Sequence, residues 1–324
     1  MCCGPIQMIT MVIAHLTGIC PRSETAVGIT RAFDRGKASM EDVAKVTQTD
    51  LSNLIDLQKA AGLDLIVDGQ LNWQDIFRPF SEIFTGISPG SLSRWFDNNT
   101  FYRKPVVKDK VRLENKTAID QYFRSDILPK KQRKAILPGP LTFACASQNE
   151  AYSNLQDLID DVAHALREVV LELEQRGYSC LQFSEPYLTS TTNKTDLQFA
   201  KNAYATLSRS GTKSILHTYF NNVEEIIVEL LNFAVDCIGV DLYATPIEPI
   251  LQYSFTKELN CGCIDARNSL IESTQDLGAL VEKIQTTIGP KALYVSPNCD
   301  LEFLPFQIAE KKIRLLTELK NKVP

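Results

Sequence analysis

The stretch Ile215-Leu216-His217-Thr218-Tyr219-Phe220 decides how this chain folds. It is a short apolar run ending in polar groups. The same form recurs at Gly239-Val240-Asp241-Leu242-Tyr243 and at Tyr294-Val295-Ser296-Pro297-Asn298-Cys299. Brief, nearly continuous apolar runs suit strands buried on both faces, and parallel sheets covered by helices are built from such strands. Each run ends in a side chain able to hold a metal ion or a polar substrate. Convergence of these strand ends would place His217, Asp241 and Cys299 around one site.

Outward from this stretch the alternation is regular. Strands are expected at 180–183, 213–216, 237–240, 261–264 and 292–295. The helices between and after them are expected to reach about Leu207, to run from about 223 to 233, 247 to 255 and 275 to 287, and to end near Leu319. Upstream, 8–15, 63–67 and 135–137 read as three further strands. Ser39-Met40-Glu41-Asp42 has the form of a helix N-cap with an acid three residues on. Apolar residues at Val43, Val46, Leu51, Leu54, Ile55 and Leu57 continue that helix to a stop at Gly62. Residues 155–176 put one apolar face on a helix that Gly177 ends, and 73–84 reads as a helix too. Residues 86–134 differ. They are rich in turn formers and charge, with one extended piece near Phe101–Val107 and too few apolar residues for a core of their own. The basic run Pro129-Lys130-Lys131-Gln132-Arg133-Lys134 reads as a solvated loop, because no aromatic residue interleaves with its charges.

Eight strand–helix units predict an α/β fold, a (β/α)8 TIM barrel forming one domain over 1–324, with an irregular insertion at about 86–134 after the second unit. An open doubly wound sheet is disfavoured, since no Gly-x-Gly-x-x-Gly follows the first strand. The 324 residues carry 34 Lys and Arg against 39 Asp and Glu, a net charge of −5 that favours neither nucleic acid nor an anionic membrane as partner. The nine cysteines are odd in number and irregularly spaced, and several lie in apolar strands. Reduced thiols and a cytoplasmic location are expected. No run approaches the length of a membrane span, and no basic segment precedes the apolar start.

Active sites of such barrels lie where the strands end. The polar groups there are Asp68, Gln70, Thr142, Glu185, His217, Tyr219, Asp241, Asp265, Arg267, Asn298 and Cys299. The opposite strand ends carry no comparable set, which points to a small-molecule site. Each residue also has a structural alternative: His217 as a hydrogen-bonded core residue, Cys299 as an inert thiol, Glu185 as a turn cap before Pro186, Asp265 with Arg267 as a loop-fixing ion pair.

Six motifs in order carry a resemblance: Pro21-Arg22-Ser23-Glu24, Val67-Asp68-Gly69-Gln70, Gly139-Pro140-Leu141-Thr142-Phe143, Gln182-Phe183-Ser184-Glu185-Pro186, Ile264-Asp265-Ala266-Arg267-Asn268 and Asn298-Cys299. Together they resemble the cobalamin-independent methionine synthases, in the form of a single-barrel, archaeal-type member. The resemblance implies methyl transfer from a methyl-folate to the sulfur of homocysteine or a similar thiol. It also implies a zinc ion that lowers the pKa of the bound thiol. Matched motif by motif, His217 falls on the family's histidine ligand, Cys299 on its distant cysteine, and Asp241 near its glutamate. Glu185, Asp265 and Arg267 take catalytic roles, and Asp68, Gln70, Thr142, Ser184 and Tyr219 contact substrate.

The chain departs from the family pattern at several of these positions. His217-Thr218-Tyr219 stands for His-x-Cys, Ser184 for the Asp of Asp-Glu-Pro, Gln70 for a Glu, Ile19 for a Ser and Arg267 for a His. Several motifs are closer to the family's N-terminal barrel, which holds no zinc. The alternative is therefore a non-catalytic companion barrel that binds a folate polyglutamate tail or docks on a catalytic single-barrel partner. Arg78, Arg103, Lys104 and the Lys130–Lys134 run would supply its basic groups. A decarboxylase of the uroporphyrinogen type has no positive motif here.

Overall fold

The computed structural model describes residues 11–191, 193–208 and 211–322. The beginning of the first expected strand, at 8–10, lies outside them. The described strands are β1 (Val12–Ala14), β2 (Phe84–Arg94), β3 (Phe101–Leu113), β4 (Lys134–Pro138), β5 (Gln148–Asn149), β6 (Cys180–Ser184), β7 (Lys213–His217), β8 (Cys237–Asp241), β9 (Glu258–Ile264) and β10 (Leu293–Pro297). Seven form one parallel sheet in the order β1-β10-β9-β8-β7-β6-β4. Every residue of β4, β6, β8 and β10 is buried, as strands covered on both faces require.

The sheet curls until its two edges share a neighbour. Asp64 N–H donates to Ala14 O at 3.0 Å, Ile66 N–H donates to Gln132 O at 2.7 Å, and Lys134 N–H donates to Ile66 O at 3.1 Å. The strand expected at 63–67 is thus reduced to a single bridge, Ile66 to Arg133. One cause is visible: the Ala14 N–H, the next ladder donor, is taken by the Asp64 carboxylate at 2.8 Å.

The helices pack outside. Met40–Ala60 starts at a reciprocal capping box between Ser39 and Asp42. Leu155–Gln175 buries Leu158, Ile159, Val162, Leu166, Val169, Val170 and Leu173, with Asn154 capping its start. Glu24–Asp34, capped by Ser23, and Pro140–Ala146 are helices that the apolar pattern did not announce. Two expected helices are cut short, to Ile247–Ile250 and to a 3-10 turn followed by Ile227–Leu231. The helix expected at 73–84 shrinks to Phe80–Ile83. There the Asp75 carboxylate accepts from the N–H groups of Phe77, Arg78 and Arg103, holding a turn in place of a helical start.

The 86–134 region is not irregular. β2 and β3 form a long antiparallel hairpin with two register shifts, followed by the helix Lys116–Tyr122. Having no core of its own, the hairpin docks on the main one. Trp95 and Tyr102 meet Phe77 at ring distances of 5.6 and 5.2 Å, and Phe77 meets Phe143 at 5.4 Å. The basic run after it also departs from expectation. Arg133 is buried, donating to Leu128 O and Arg176 O, and Lys134 is the first residue of β4, buried inside the sheet.

Candidate functional site

The residues expected at the strand ends are mostly buried. Asp68, Gln70, Thr142, Ser184, Glu185, His217, Tyr219, Asp241 and Cys299 are all covered, while Asp265 is half-buried and Arg267 exposed. β6 and β7 pair so that Ser184 stands beside His217, and Glu185 N–H donates to His217 O at 2.8 Å. The Glu185 carboxylate accepts from Thr142 N–H and from the Tyr204 hydroxyl at 2.9 Å. Burial pushes this carboxyl up to about 7 against those two donors. It packs so closely under Gly139 that a Cβ there would lie 1.5 Å from its Oε2.

His217, Asp241 and Cys299 each bond to Asn298. The His217 Nε2 lies 2.9 Å from Asn298 O, the Asn298 Nδ2 donates to Asp241 Oδ1 at 3.0 Å, and the Cys299 thiol faces Asn298 Oδ1 at 3.5 Å. Asn298 Oδ1 also accepts from Ala266 N–H at 2.8 Å. An asparagine thus stands among the three side chains expected to hold a metal.

The donors do not fit a zinc ion. Both His217 nitrogens are engaged, since Nδ1 takes the Asn260 amide at 3.3 Å. Asp241 caps its own loop, accepting from Phe220, Tyr243 and Ala244 N–H groups as well as from Asn298. Burial, then the nearby Asp300 and Asp241, push the Cys299 thiol well up, and it faces Asn298 Oδ1. Burial and the Lys134 charge push His217 down to about 3, so its ring is neutral, a state that by itself would suit a metal, and the misfit rests on its two hydrogen-bonded nitrogens. Among the described residues, no three His, Cys, Asp or Glu side chains gather as a metal site. The zinc expectation is not met by these side chains.

Three residues that the sequence reading passed over complete the arrangement. Lys134 Nζ reaches His15 Nδ1, Leu16 O and Gln182 Oε1, each at 2.6 Å. His15 Nε2 contacts Asn260 Oδ1 at 3.1 Å, and Asn260 continues to His217. Burial brings Lys134 down to about 7, yet its three neighbours are the acceptor shell of an ammonium. The signal lay in residue type: a lysine, a histidine and an asparagine inside apolar runs need partners. Gly239 is dictated by the same cluster, because a Cβ would come within 2.5 Å of His217 Nδ1.

Above these groups the mouth is covered. Phe96, at the hairpin tip, sits 5.0 Å from Phe220 and 4.9 Å from Tyr187, and Phe220 sits 4.5 Å from Tyr219. The Arg267 guanidinium lies 5.5 Å over the Phe220 ring. Asp265 accepts from Arg267 N–H, a loop cap and not an ion pair with its side chain. The Tyr219 hydroxyl is buried near Ser184 without a hydrogen bond of good geometry.

Open space lies to one side. A cleft of about 750 Å³ runs between the loop after β1, the 70–74 turn and the 302–307 segment, lined among others by Arg22, Arg31, Gln70, Trp73, Glu302 and Phe306. Gln70 has a left-handed backbone (φ 54°) fixed by its N–H bond to Asp68, and its Oε1 is buried without a partner. Burial raises Asp68, Asp300 and Glu302, the last also through the charge of Asp300. Only Gln70 of the expected site residues reaches this cleft; Arg22 was quoted for its motif and Arg31 not at all.

Comparisons with known proteins bear on this geometry. Residues 85–289 match the family model described as the N-terminal domain of cobalamin-independent synthase. Methionine synthase of Saccharolobus solfataricus is 27% identical over 314 residues, spanning 93% of this chain and 91% of that protein. That of Sulfolobus acidocaldarius is 25% identical over 309 residues, spanning 94% and 90%. Among solved structures, a B12-independent methionine synthase from Shewanella sp. W3-18-1, in complex with selenomethionine, superposes with a TM-score of 0.80 at 18% identity over 97% of each chain. One from Listeria monocytogenes gives a TM-score of 0.75 at 15% identity, over 97% of this chain and 98% of that one. These two likenesses concern the fold.

Proposed function

Because this chain belongs to the cobalamin-independent synthase family, we propose that it is a methionine synthase-type S-methyltransferase, moving a methyl group from a methyl-folate or related donor to the thiol of homocysteine or a similar acceptor. The near full-length similarity to proteins named methionine synthase carries this reading. In the transfer the bond from donor nitrogen to methyl carbon breaks with its electron pair left on the nitrogen, the sulfur–methyl bond forms, and the proton lost by the thiol is balanced by one taken up on that nitrogen. The side cleft suits the substrates: Arg22 and Arg31 meet carboxylates, the exposed Phe306 ring suits a flat ring, and the unpartnered Gln70 Oε1 suits a ring N–H. Glu185 ties the Thr142 turn to the helix bearing Tyr204, and Asp265 holds the backbone at Arg267, whose guanidinium stays at the rim. No step is assigned to zinc.

A second reading has a specific observation behind it. The match to the family's N-terminal domain and the engagement of His217, Asp241 and Cys299 with Asn298 both support a companion barrel that binds folate for a catalytic partner. One experiment separates the two. The purified chain is incubated with homocysteine and polyglutamyl methyltetrahydrofolate, methionine is measured, and folate binding is measured by calorimetry. Turnover by the chain alone supports the transferase. Binding without turnover supports the companion, and neither binding nor turnover rejects both.

A further inference from the structure

The polar groups inside the curled sheet form one continuous chain of contacts: Lys134 Nζ to His15 Nδ1, His15 Nε2 to Asn260 Oδ1, Asn260 Nδ2 to His217 Nδ1, and His217 Nε2 to Asn298 O. Each link has a donor and an acceptor, and the two ends decide which is which. Leu16 O also lies 3.0 Å from His15 Nδ1, but that carbonyl already accepts from Lys134 Nζ at 2.6 Å; an ammonium only donates, so with Lys134 in place His15 Nδ1 accepts and its Nε2 carries the hydrogen. That N–H must meet the oxygen of Asn260, which turns the amide nitrogen towards His217 Nδ1. His217 then carries its hydrogen on Nε2, which suits the far end, because the carbonyl of Asn298 only accepts. No link can be reversed alone. If His217 moved its hydrogen to Nδ1, it would face the Asn260 NH2. Turning the amide would set that NH2 against the His15 N–H, and changing His15 would set an N–H against the ammonium.

We propose that Lys134 is a positioning residue that fixes the direction of this chain, and so holds His217 as an Nε2–H donor to Asn298 instead of a metal ligand. The consequence reaches the mouth, because Asn298 in turn ties down Asp241 and the Ala266 backbone beside Arg267. The inference concerns the inside of the sheet and stands apart from which substrates the chain takes.

The test is heteronuclear NMR of the full chain carrying 15N-labelled histidine, at pH 6. The sequence contains three histidines, His15, His164 and His217, so His217→Gln and His164→Gln variants suffice to assign the signals. His15 and His217 are expected each to show one pyridine-type Nδ1 and one pyrrole-type Nε2–H. Asn260→Asp replaces the amide by a group that only accepts, leaving Lys134 in place. It is expected to give His217 a hydrogen on Nδ1 while His15 keeps its hydrogen on Nε2. Lys134→Met is expected to lose the single-tautomer pattern at both residues. If that variant does not fold, the wild-type and Asn260→Asp spectra still decide. An Nδ1–H at His217 in the wild-type chain, an unchanged His217 in Asn260→Asp, or one tightly bound Co(II) per wild-type chain with thiolate charge-transfer absorption would overturn the proposal.

Discussion

The inside of the curled sheet and the cleft beside it contrast sharply. Inside, Lys134, His15, Asn260, His217 and Asn298 satisfy one another, and of the expected site residues there only the Tyr219 hydroxyl lacks a partner. In the cleft, Gln70 Oε1 has no partner and Arg22 and Arg31 form none of the ion pairs found among the described residues. A closed network stabilises one arrangement and leaves nothing for a ligand, whereas unmatched polar groups beside open volume are what a ligand can complete. Residue type alone draws attention to the first place and not to the second.

Breaking the inside should have the largest effect. Lys134→Met takes the donor from three buried acceptors, of which only Leu16 O has another donor within reach, His15 Nδ1 at 3.0 Å, and a loss of about 3 kcal/mol is expected in urea unfolding. A loss under about 0.5 kcal/mol, the size of an ordinary surface substitution, would show that the network holds little together.

Acid should act on the same region. Burial lowers His15 well below 6.5 and His217 to about 3, so both stay neutral when folded and take a proton when unfolded. Between about 6.5 and 3 the unfolded chain binds more protons, and stability falls as pH falls, by about 1.4 kcal/mol per pH unit for each histidine. Glu185, raised from 4.5 to about 7, binds its proton more readily when folded, so its contribution falls as pH rises through that window. Carboxylates titrate in the same range, so the difference from the parent is what isolates the histidine: His217→Gln should reduce the slope by about 1.4 kcal/mol per pH unit in a pH series of melts.

Gly239→Ala sharpens the comparison from the backbone side. Its Cβ meets His217 Nδ1 at 2.5 Å and Asn260 Nδ2 at 3.1 Å. Overpacking of this kind costs about 1–3 kcal/mol, whereas alanine at Gly28, inside the helix Glu24–Asp34 with nothing within 4 Å, should raise stability by up to about 1 kcal/mol.

The smallest effect on stability belongs to the cleft. Arg22→Ala and Arg31→Ala should leave urea unfolding within about 0.5 kcal/mol of the parent. Each should weaken folate binding in calorimetry about tenfold, near 1.4 kcal/mol. Unchanged affinity in both would move the binding site elsewhere.

Much of the sheet was legible from one end of the chain to the other. β6, β7, β8, β9 and β10 follow apolar runs too short for helices, and the helix Leu155–Gln175 follows a single apolar face, because burial writes itself into local periodicity. The hairpin was harder to see. Gly86, Pro89 and Gly90 in β2 read as turn formers, and the apolar side chains of β3 serve a core supplied by Phe77, Phe143 and the Leu155–Gln175 helix. Lys134 was harder still: its neighbours along the chain are Lys130, Lys131 and Arg133, and nothing local separates it from a solvated run.

The sequence by itself determined most strands of the parallel sheet and its two longest helices, the order of the family's motifs, and that polar side chains collect at one set of strand ends. Only the tertiary structure decided what those side chains do. A buried polar atom takes the role its partner leaves it, and for His217 the partners are Asn260 and Asn298, separated from it by 43 and 81 residues.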